Sequence, residues 1–119
     1  MLINLSNHPY ERWCSLQREK ALFYGRCVDW PFPAIDAQAD EDTIEKLSND
    51  YFTRIMTIQS DEPITVHIMG EHTFCYSLIQ KLREAGIHCI ASCSKRNVTE
   101  EDEEIKRVSF RFERFRFYH

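Results

Sequence analysis

The chain has 119 residues, which is one domain's worth and enough to bury a core without disulfides or metals. Acidic residues outnumber basic ones by 19 to 15, and the net charge of −4 argues against a surface that coats DNA or RNA, while leaving room for a local basic pocket. Only three glycines occur, so a Gly-rich phosphate loop and a dinucleotide-binding fingerprint are both excluded.

The first half of the chain predicts two short strands and two helices. An apolar strand is expected over residues 2–5, a helix over about 9–24 and a second strand over 26–30. A strongly amphipathic helix follows, and Asp42 with Glu45 three residues on resembles a capping box at its start. Its apolar residues recur at spacings of 3, 4, 4 and 3: Ile44, Leu47, Tyr51, Ile55 and Ile58.

The second half predicts a strand, a helix and two further strands. The β-branched run 64–69 indicates a buried strand, and a helix is expected from about Thr73 to the C-cap Gly86. Residues 87–91 form the next strand, which ends at a loop over 92–96. The acidic run 100–104 predicts a solvated loop or hairpin tip.

The C-terminal segment alternates aromatic with polar residues. Phe110 and Phe112 follow the half-buried strand pattern, whereas Phe115 and Phe117 have the opposite parity, so a bulge or strand end is expected near Glu113. Aromatic and basic residues together also suggest RNA stacking, but the glycines of the RRM signature are missing. A core strand or a dimer-forming edge strand is the favoured interpretation.

Strands alternate with helices, and this order predicts the fold class. We expect an α/β fold over residues 1–119: a single Rossmann-like domain with a mostly parallel sheet of about five strands and three helices. Ligands of such sheets lie outside the carboxyl ends of the strands. Three polar segments follow strands directly and should meet at that edge: Ser6-Asn7-His8, Gly70-Glu71-His72-Thr73 and Ser92-Cys93-Ser94-Lys95-Arg96.

The segment after the third strand has two interpretations. Gly70 would let the backbone approach a phosphate closely, with Thr73 as a further donor, or these residues form only a tight turn and a helix N-cap. Glu71 is a candidate general base or ribose ligand, and it equally suits the positive end of the helix that follows. His8 is a candidate phosphate ligand or proton donor, or simply a turn residue.

The segment after the fourth strand carries cations and hydroxyls. Arg96 matches phosphate oxygens bidentately, Lys95 strengthens the positive field, and Ser92 and Ser94 add hydroxyl donors. The alternative is that both cations are solvated or pair with the acidic run 100–104.

The five cysteines predict buried, reduced thiols, because no signal peptide or membrane-length apolar run accompanies them. We therefore expect a cytoplasmic protein. A zinc site built from His72, Cys75, Cys89 and Cys93 is disfavoured, since these residues lack a standard paired spacing. No metal and no cofactor are predicted.

The three strand-following segments resemble the small stand-alone CARF (CRISPR-associated Rossmann fold) proteins, in layout over nearly the whole chain. The resemblance implies a cytoplasmic homodimer of antiviral defence that binds a cyclic oligoadenylate second messenger, with neither a membrane nor duplex DNA as partner. Ser6, Asn7 and His8 would lie near the ligand, and Gly70, Glu71 and Thr73 would cradle phosphate or base. Ser94, Lys95 and Arg96 would contact the scissile phosphate.

Some members of that family, the ring nucleases, cleave the messenger without a metal, and the resemblance leaves open whether this chain is an enzyme. In that reaction a ribose 2′-OH attacks the neighbouring phosphate. Arg96 or Lys95 would stabilise the developing charge, and His8 or Glu71 would be the acid or base. Two alternatives stay open: a non-catalytic dimeric interaction module and a small metabolic enzyme on a Rossmann-like fold.

Overall fold

A five-stranded sheet organises the part of the chain that the computed structural model describes, residues 1–100 and 106–119. The strand order is β2-β1-β3-β4-β5. Neighbours are parallel except for the antiparallel pair of β4 and β5. The expected α/β class with a mostly parallel sheet is therefore confirmed. The strands are β1 Leu2–Ser6, β2 Cys27–Pro31, β3 Thr65–Ile68, β4 His88–Glu100 and β5 Lys106–Phe117.

Three α-helices pack on the sheet: α1 Ser15–Ala21, α2 Glu41–Met56 and α3 His72–Glu84. The single helix expected over 9–24 is wrong, because Trp13 and Cys14 have extended backbone conformations that interrupt it. The buried Trp13 donates its indole N–H to the carbonyl oxygen of His8, at 2.9 Å, and this contact holds the break in place. Two short 3-10 turns, Tyr10–Arg12 and Leu22–Tyr24, flank α1.

Helix α2 begins two residues before the expected capping box. Asp40 is the N-cap: its carboxylate accepts the backbone N–H of Thr43 at 2.9 Å and the hydroxyl of Thr43 at 2.7 Å. These hydrogen bonds to Thr43 lower the pKa of the Asp40 carboxyl. Asp42 lies within the first turn instead, where an acidic side chain complements the helix dipole.

The loop expected over 92–96 is also wrong, because these residues belong to β4. Strand β5 pairs with β4 along its whole length and supplies the hydrogen-bond partners that keep β4 extended. The expected bulge is confirmed: Arg114 lies opposite Cys93 and Phe112 opposite Ser94, which leaves Glu113 without a partner. Of the predicted acidic tip, residues 101–105 lie outside the described residues.

Two apolar layers cover the two faces of the sheet. Beneath α2 and α3 lie the fully buried side chains of Ile3, Leu5, Val66, Ile68, Phe74 and Leu78. Beneath α1 lie Leu2, Trp13, Ala21 and Ile90, together with Phe112 and Phe115, which the bulge brings to the same face. No helix in the described ranges is long and apolar enough to span a membrane.

The segment after β2 folds over the end of β3. The ring of Phe32 lies so close to Gly70 that a Cβ added there would be 2.3 Å from the ring carbon Cζ. The same ring packs edge-on against Phe74, with the ring centroids 5.4 Å apart. A glycine is required at position 70 because Phe32 occupies the space of a side chain.

We predict that Gly70→Ala destabilises the protein by about 1–3 kcal/mol, since Phe32 must leave its packed position. Urea unfolding of the wild type and the variant measures the change in the free energy of unfolding. In a Phe32→Ala background the same substitution should be neutral within about 0.5 kcal/mol. An equal loss in both backgrounds would mean that Phe32 is not the reason for the glycine.

Candidate functional site

The strand order creates a topological switch point at the carboxyl edge of the sheet. Strand β2 lies on one side of β1 and β3 on the other, so the connections after β1 and β3 leave the sheet in opposite directions, which is the position at which such sheets bind ligands. Residues 6–8 follow β1 and residues 69–73 follow β3 at this edge. Beyond Ile90, β4 pairs only with β5, and the two strands form a ribbon that extends past the same edge.

A row of hydrogen-bonded polar side chains crosses the sheet on the face that α1 covers; Asn4 and His67 are buried, Ser92 is half-buried and Asp29 is exposed. Asn4 lies directly opposite Asp29 on one neighbouring strand and His67 on the other. Its amide Nδ2 donates to Asp29 Oδ1 at 2.8 Å, and its Oδ1 is 2.9 Å from His67 Nδ1. The other ring nitrogen of His67, Nε2, is 2.7 Å from the hydroxyl of Ser92. Four strands are thus joined by one hydrogen-bonded row.

The partners at the two ends of the row determine where its protons lie. Asp29 Oδ1 and the His8 carbonyl oxygen are both acceptors, so Asn4 Nδ2 must be the group between them and Asn4 Oδ1 must accept. His67 Nδ1 therefore carries the proton, and Nε2 accepts from the Ser92 hydroxyl. Burial lowers the pKa of His67 from 6.5 to about 4, with a smaller contribution from His8, so the ring is neutral at pH 7.

The same row fixes the turn after β1. The Ser6 hydroxyl donates to Asn4 Oδ1 at 2.8 Å and accepts the backbone N–H of His8 at 3.2 Å. The backbone of His8 is thus hydrogen-bonded to the side chains of Asn4, Ser6 and Trp13, whereas the side chains of Asn7 and His8 are exposed. Ser6, Asn7, Pro9 and Asp29 line a cavity of about 240 Å³ between the ends of β1 and β2. This space is smaller than a typical ligand pocket.

The structure places Glu71 as the N-cap of α3. Its carboxylate accepts the backbone N–H groups of Thr73, at 3.0 Å, and Phe74, at 2.7 Å, together with the Thr73 hydroxyl. These bonds lower the pKa of Glu71, with the Phe74 contribution the largest. The free N–H groups that a phosphate would use at this helix terminus are therefore already occupied by a carboxylate of the chain itself.

The two predicted cations lie on opposite faces of the ribbon, because successive residues of a strand alternate. Lys95 lies directly opposite Arg111, and both are exposed; Arg96 lies opposite Phe110. Like charges directly opposite each other repel. Among the side chains of residues 1–98 and 109–119, no carboxylate forms an ion pair with Lys95 or Arg111. Ser94 shares the face of Arg96. Ser92 belongs to the polar row, and its hydroxyl accepts a hydrogen bond from the side-chain amide of Gln17 at 3.0 Å.

The cysteines that were considered as zinc ligands and disfavoured differ in their burial. Cys75 and Cys89 are buried, and burial raises the pKa of each thiol to about 12. Both therefore stay protonated at neutral pH. Within residues 1–100 and 106–119, no group of three acidic, histidine or cysteine side chains has the geometry of a metal site.

The predicted site residues thus fall into three groups. Ser6 and Ser92 are joined through the polar row, with Asn7 and His8 exposed in the turn after Ser6. Glu71 and Thr73 cap α3 beside Gly70, and Ser94, Lys95 and Arg96 lie on the ribbon. Asn4 and Asp29 were missed by the sequence analysis. A polar residue in the middle of an apolar strand, as Asn4 is between Ile3 and Leu5, was the available signal.

We predict that His67 makes the protein less stable in acid. The unfolded chain binds a proton below about pH 6.5, whereas the folded chain binds it only near pH 4. Proton binding at His67 therefore leaves the free energy of unfolding unchanged above pH 6.5 and lowers it by about 3 kcal/mol as the pH drops to 4. Urea unfolding between pH 7.5 and 4.5 should show a shallower pH dependence for His67→Gln than for the wild type.

The control for this measurement is His119→Gln, which changes an exposed terminal histidine and should retain the wild-type pH dependence. An unchanged pH dependence in His67→Gln would assign the acid sensitivity to the carboxyl groups instead.

Comparison with known proteins gives one match. No curated protein and no solved structure matches the chain. The model of the Uncharacterized protein MJ1673 family matches residues 1–116, almost the entire length described above. The chain belongs to the MJ1673 family.

Proposed function

We propose that this chain binds a cyclic oligoadenylate at the carboxyl edge of its sheet, the ligand implied by the resemblance to CARF proteins. The proposal combines that resemblance with the strand order, whose switch point between β1 and β3 is where ligands of doubly wound sheets bind. The positive charges of the ribbon at this edge support a ligand that carries phosphates.

The opposed pair of Lys95 and Arg111 is the observation that carries the proposal. Two exposed cations on neighbouring strands repel each other, and a bound phosphate removes the repulsion and contributes charge-assisted hydrogen bonds. The pair lies on the ribbon beyond the end of β3, so it flanks the switch point between β1 and β3. A ligand with several phosphates and some breadth suits this position better than a mononucleotide.

Glu71 restricts where the phosphates lie. Its carboxylate occupies the N-terminus of α3 and would repel a phosphate there. We therefore place the phosphates against the ribbon, and a nucleoside part of the ligand against the turns after β1 and β3. Asn7 and the exposed side chain of His8 supply polar groups at that position.

We extend the proposal to ring opening, in which a ribose 2′-OH attacks the adjacent phosphorus. The bond from phosphorus to the 5′-oxygen breaks, and the products carry a 2′,3′-cyclic phosphate and a 5′-hydroxyl. His8 is the side chain proposed to transfer the proton, and Lys95 or Arg96 would stabilise the charge on the phosphate. Glu71, which is held by the α3 terminus, is a poorer choice of base than His8.

Calorimetric titration with cyclic tri-, tetra- and hexa-adenylate tests the proposal. We expect one ring size to bind, and we expect Lys95→Ala or Arg111→Ala to weaken binding about tenfold or more, since a hydrogen bond to a charged group contributes roughly 1.5–3 kcal/mol. Affinity should also fall as salt increases. Lys46→Ala and Arg83→Ala, which remove exposed cations from α2 and α3, are the matched controls.

Absence of binding to all three rings would refute the proposal, and equal losses in the ribbon and control variants would reduce it to nonspecific attraction. Chromatography of the incubated ligand detects ring opening. If product forms, His8→Ala should slow its formation more than it weakens binding, and an unchanged rate would remove His8 from the reaction.

A further inference from the structure

The Ser92 end of the polar row has the arrangement of an activated serine. The Ser92 hydroxyl donates to Nε2 of His67 at 2.7 Å, and Nδ1 of the same ring donates to Oδ1 of Asn4 at 2.9 Å. A serine bonded to an imidazole, whose other nitrogen is held by an acceptor, is the arrangement that activates a nucleophile for acyl transfer. The nitrogen facing Ser92 carries no proton in this tautomer, so it can take the proton of the hydroxyl.

The imidazole ring is fixed in this orientation by its surroundings. Trp13 and Phe115 pack edge-on against His67, with ring centroids 5.1 and 5.6 Å from that of the imidazole. Asn4, which accepts from Nδ1, is itself bonded through its amide to the carboxylate of Asp29 at 2.8 Å. A proton moved from Ser92 to Nε2 would leave a positive charge on the ring, and the Asn4 oxygen with the carboxylate behind it would stabilise that charge.

Two N–H donors lie beside the serine oxygen. The side-chain amide of Gln17, on α1, donates to the Ser92 hydroxyl oxygen at 3.0 Å. The backbone N–H of Ser92 is bonded to the thioether sulfur of Met69, the residue after β3, at 3.2 Å. A thioether is a weak acceptor on a flexible side chain, so a carbonyl oxygen would displace it readily. The two N–H groups therefore suit the role of oxyanion donors, which stabilise the negative oxygen of a tetrahedral intermediate.

The exposure of these groups changes along the row in the order that catalysis requires. Ser92, Gln17 and Met69 are half-exposed, whereas His67 and Asn4 are buried. A reactant can therefore reach the serine oxygen from the surface, while the base behind it is shielded from water. Because α1 partly covers the serine through Gln17, a short acyl group suits this position better than a polypeptide.

We infer that Ser92 is a nucleophile for the hydrolysis of small esters, with His67 as its general base, Asn4 as a positioning residue, and the Gln17 amide and the Ser92 N–H as oxyanion donors. The inference is independent of the proposed ligand, because neither Ser92 nor His67 is among the residues proposed to bind it.

The reaction has two steps. In the first, the Ser92 oxygen bonds to the acyl carbon and its proton passes to Nε2 of His67; the bond to the alcohol oxygen then breaks, and that oxygen takes the proton from Nε2. In the second, water adds to the acyl carbon and gives a proton to Nε2, and the Ser92 oxygen leaves and takes this proton, which releases a carboxylic acid. Burial lowers the pKa of His67 to about 4, so the ring is a weak base at pH 7 and the acyl-enzyme should be hydrolysed slowly.

Covalent labelling of the full chain with a fluorophosphonate, whose phosphorus takes the place of the acyl carbon, tests the inference. We expect one adduct per chain, formed with loss of fluoride and located on Ser92 by peptide mass spectrometry. Brief incubation with p-nitrophenyl acetate should leave an acetyl group on the same residue. Neither adduct should form on Ser92 in wild-type protein unfolded in urea. Ser109→Ala, which removes an exposed serine hydroxyl from β5, is the matched control and should label at the wild-type rate.

Two variants separate an activated serine from one that only holds the row together. Gln17→Ala should slow labelling at least about tenfold, since loss of an oxyanion donor lowers acyl-transfer rates by about 10²–10³. His67→Gln should slow it at least about a hundredfold, which is typical of a lost general base. A folded wild type that takes up neither label on Ser92 would overturn the inference. So would labelling of Ser92 at the same rate in His67→Gln, because the ring would then not activate the serine.

Discussion

The hydrogen-bonded row through Asn4 is the interaction on which the rest of the structure depends. Asn4, Asp29 and His67 are register partners on three neighbouring strands. A slip of one residue in any of them would turn a polar side chain into the apolar layer beneath α2 and α3 and leave its partner unsatisfied. The apolar residues of these strands would tolerate several registers, so the polar row selects one. In the described part, every buried side-chain nitrogen and oxygen has a partner.

The row also prepares the carboxyl edge. Asn4 of the row and Trp13 both donate to the His8 carbonyl oxygen, and these bonds order the turn after β1. Because His67 is neutral and its hydrogen bonds are all internal, its ring contributes rigidity and no positive charge at neutral pH. Glu71 likewise neutralises the terminus of α3. The exposed cations of the ribbon are consequently the main source of positive field at this edge, despite the net charge of −4.

Local signals determined which parts of the structure could be predicted. The apolar period of α2 and the parity change at Glu113 depend on neighbouring residues alone, and both were predicted correctly. The break at Trp13 and the extension of β4 depend on contacts with distant residues, and both were missed. Gly70 was interpreted as a point of close approach to a phosphate or as a tight turn, whereas the reason for the glycine is the ring of Phe32, which lies 38 positions away by the numbering. Asn4 was visible as an anomaly, yet nothing near it in the sequence identifies Asp29 or His67 as partners.

The direction of the parallel strands separates two surfaces with different chemistry. Turns with free polar side chains collect at the carboxyl edge because the connections after β1 and β3 begin there. The amino edge receives the end of α1 and the end of the antiparallel β5, which bring Phe23 and Phe117 together. Because the polar row lies between the two edges, a substitution at one edge should leave the other edge and the row unchanged.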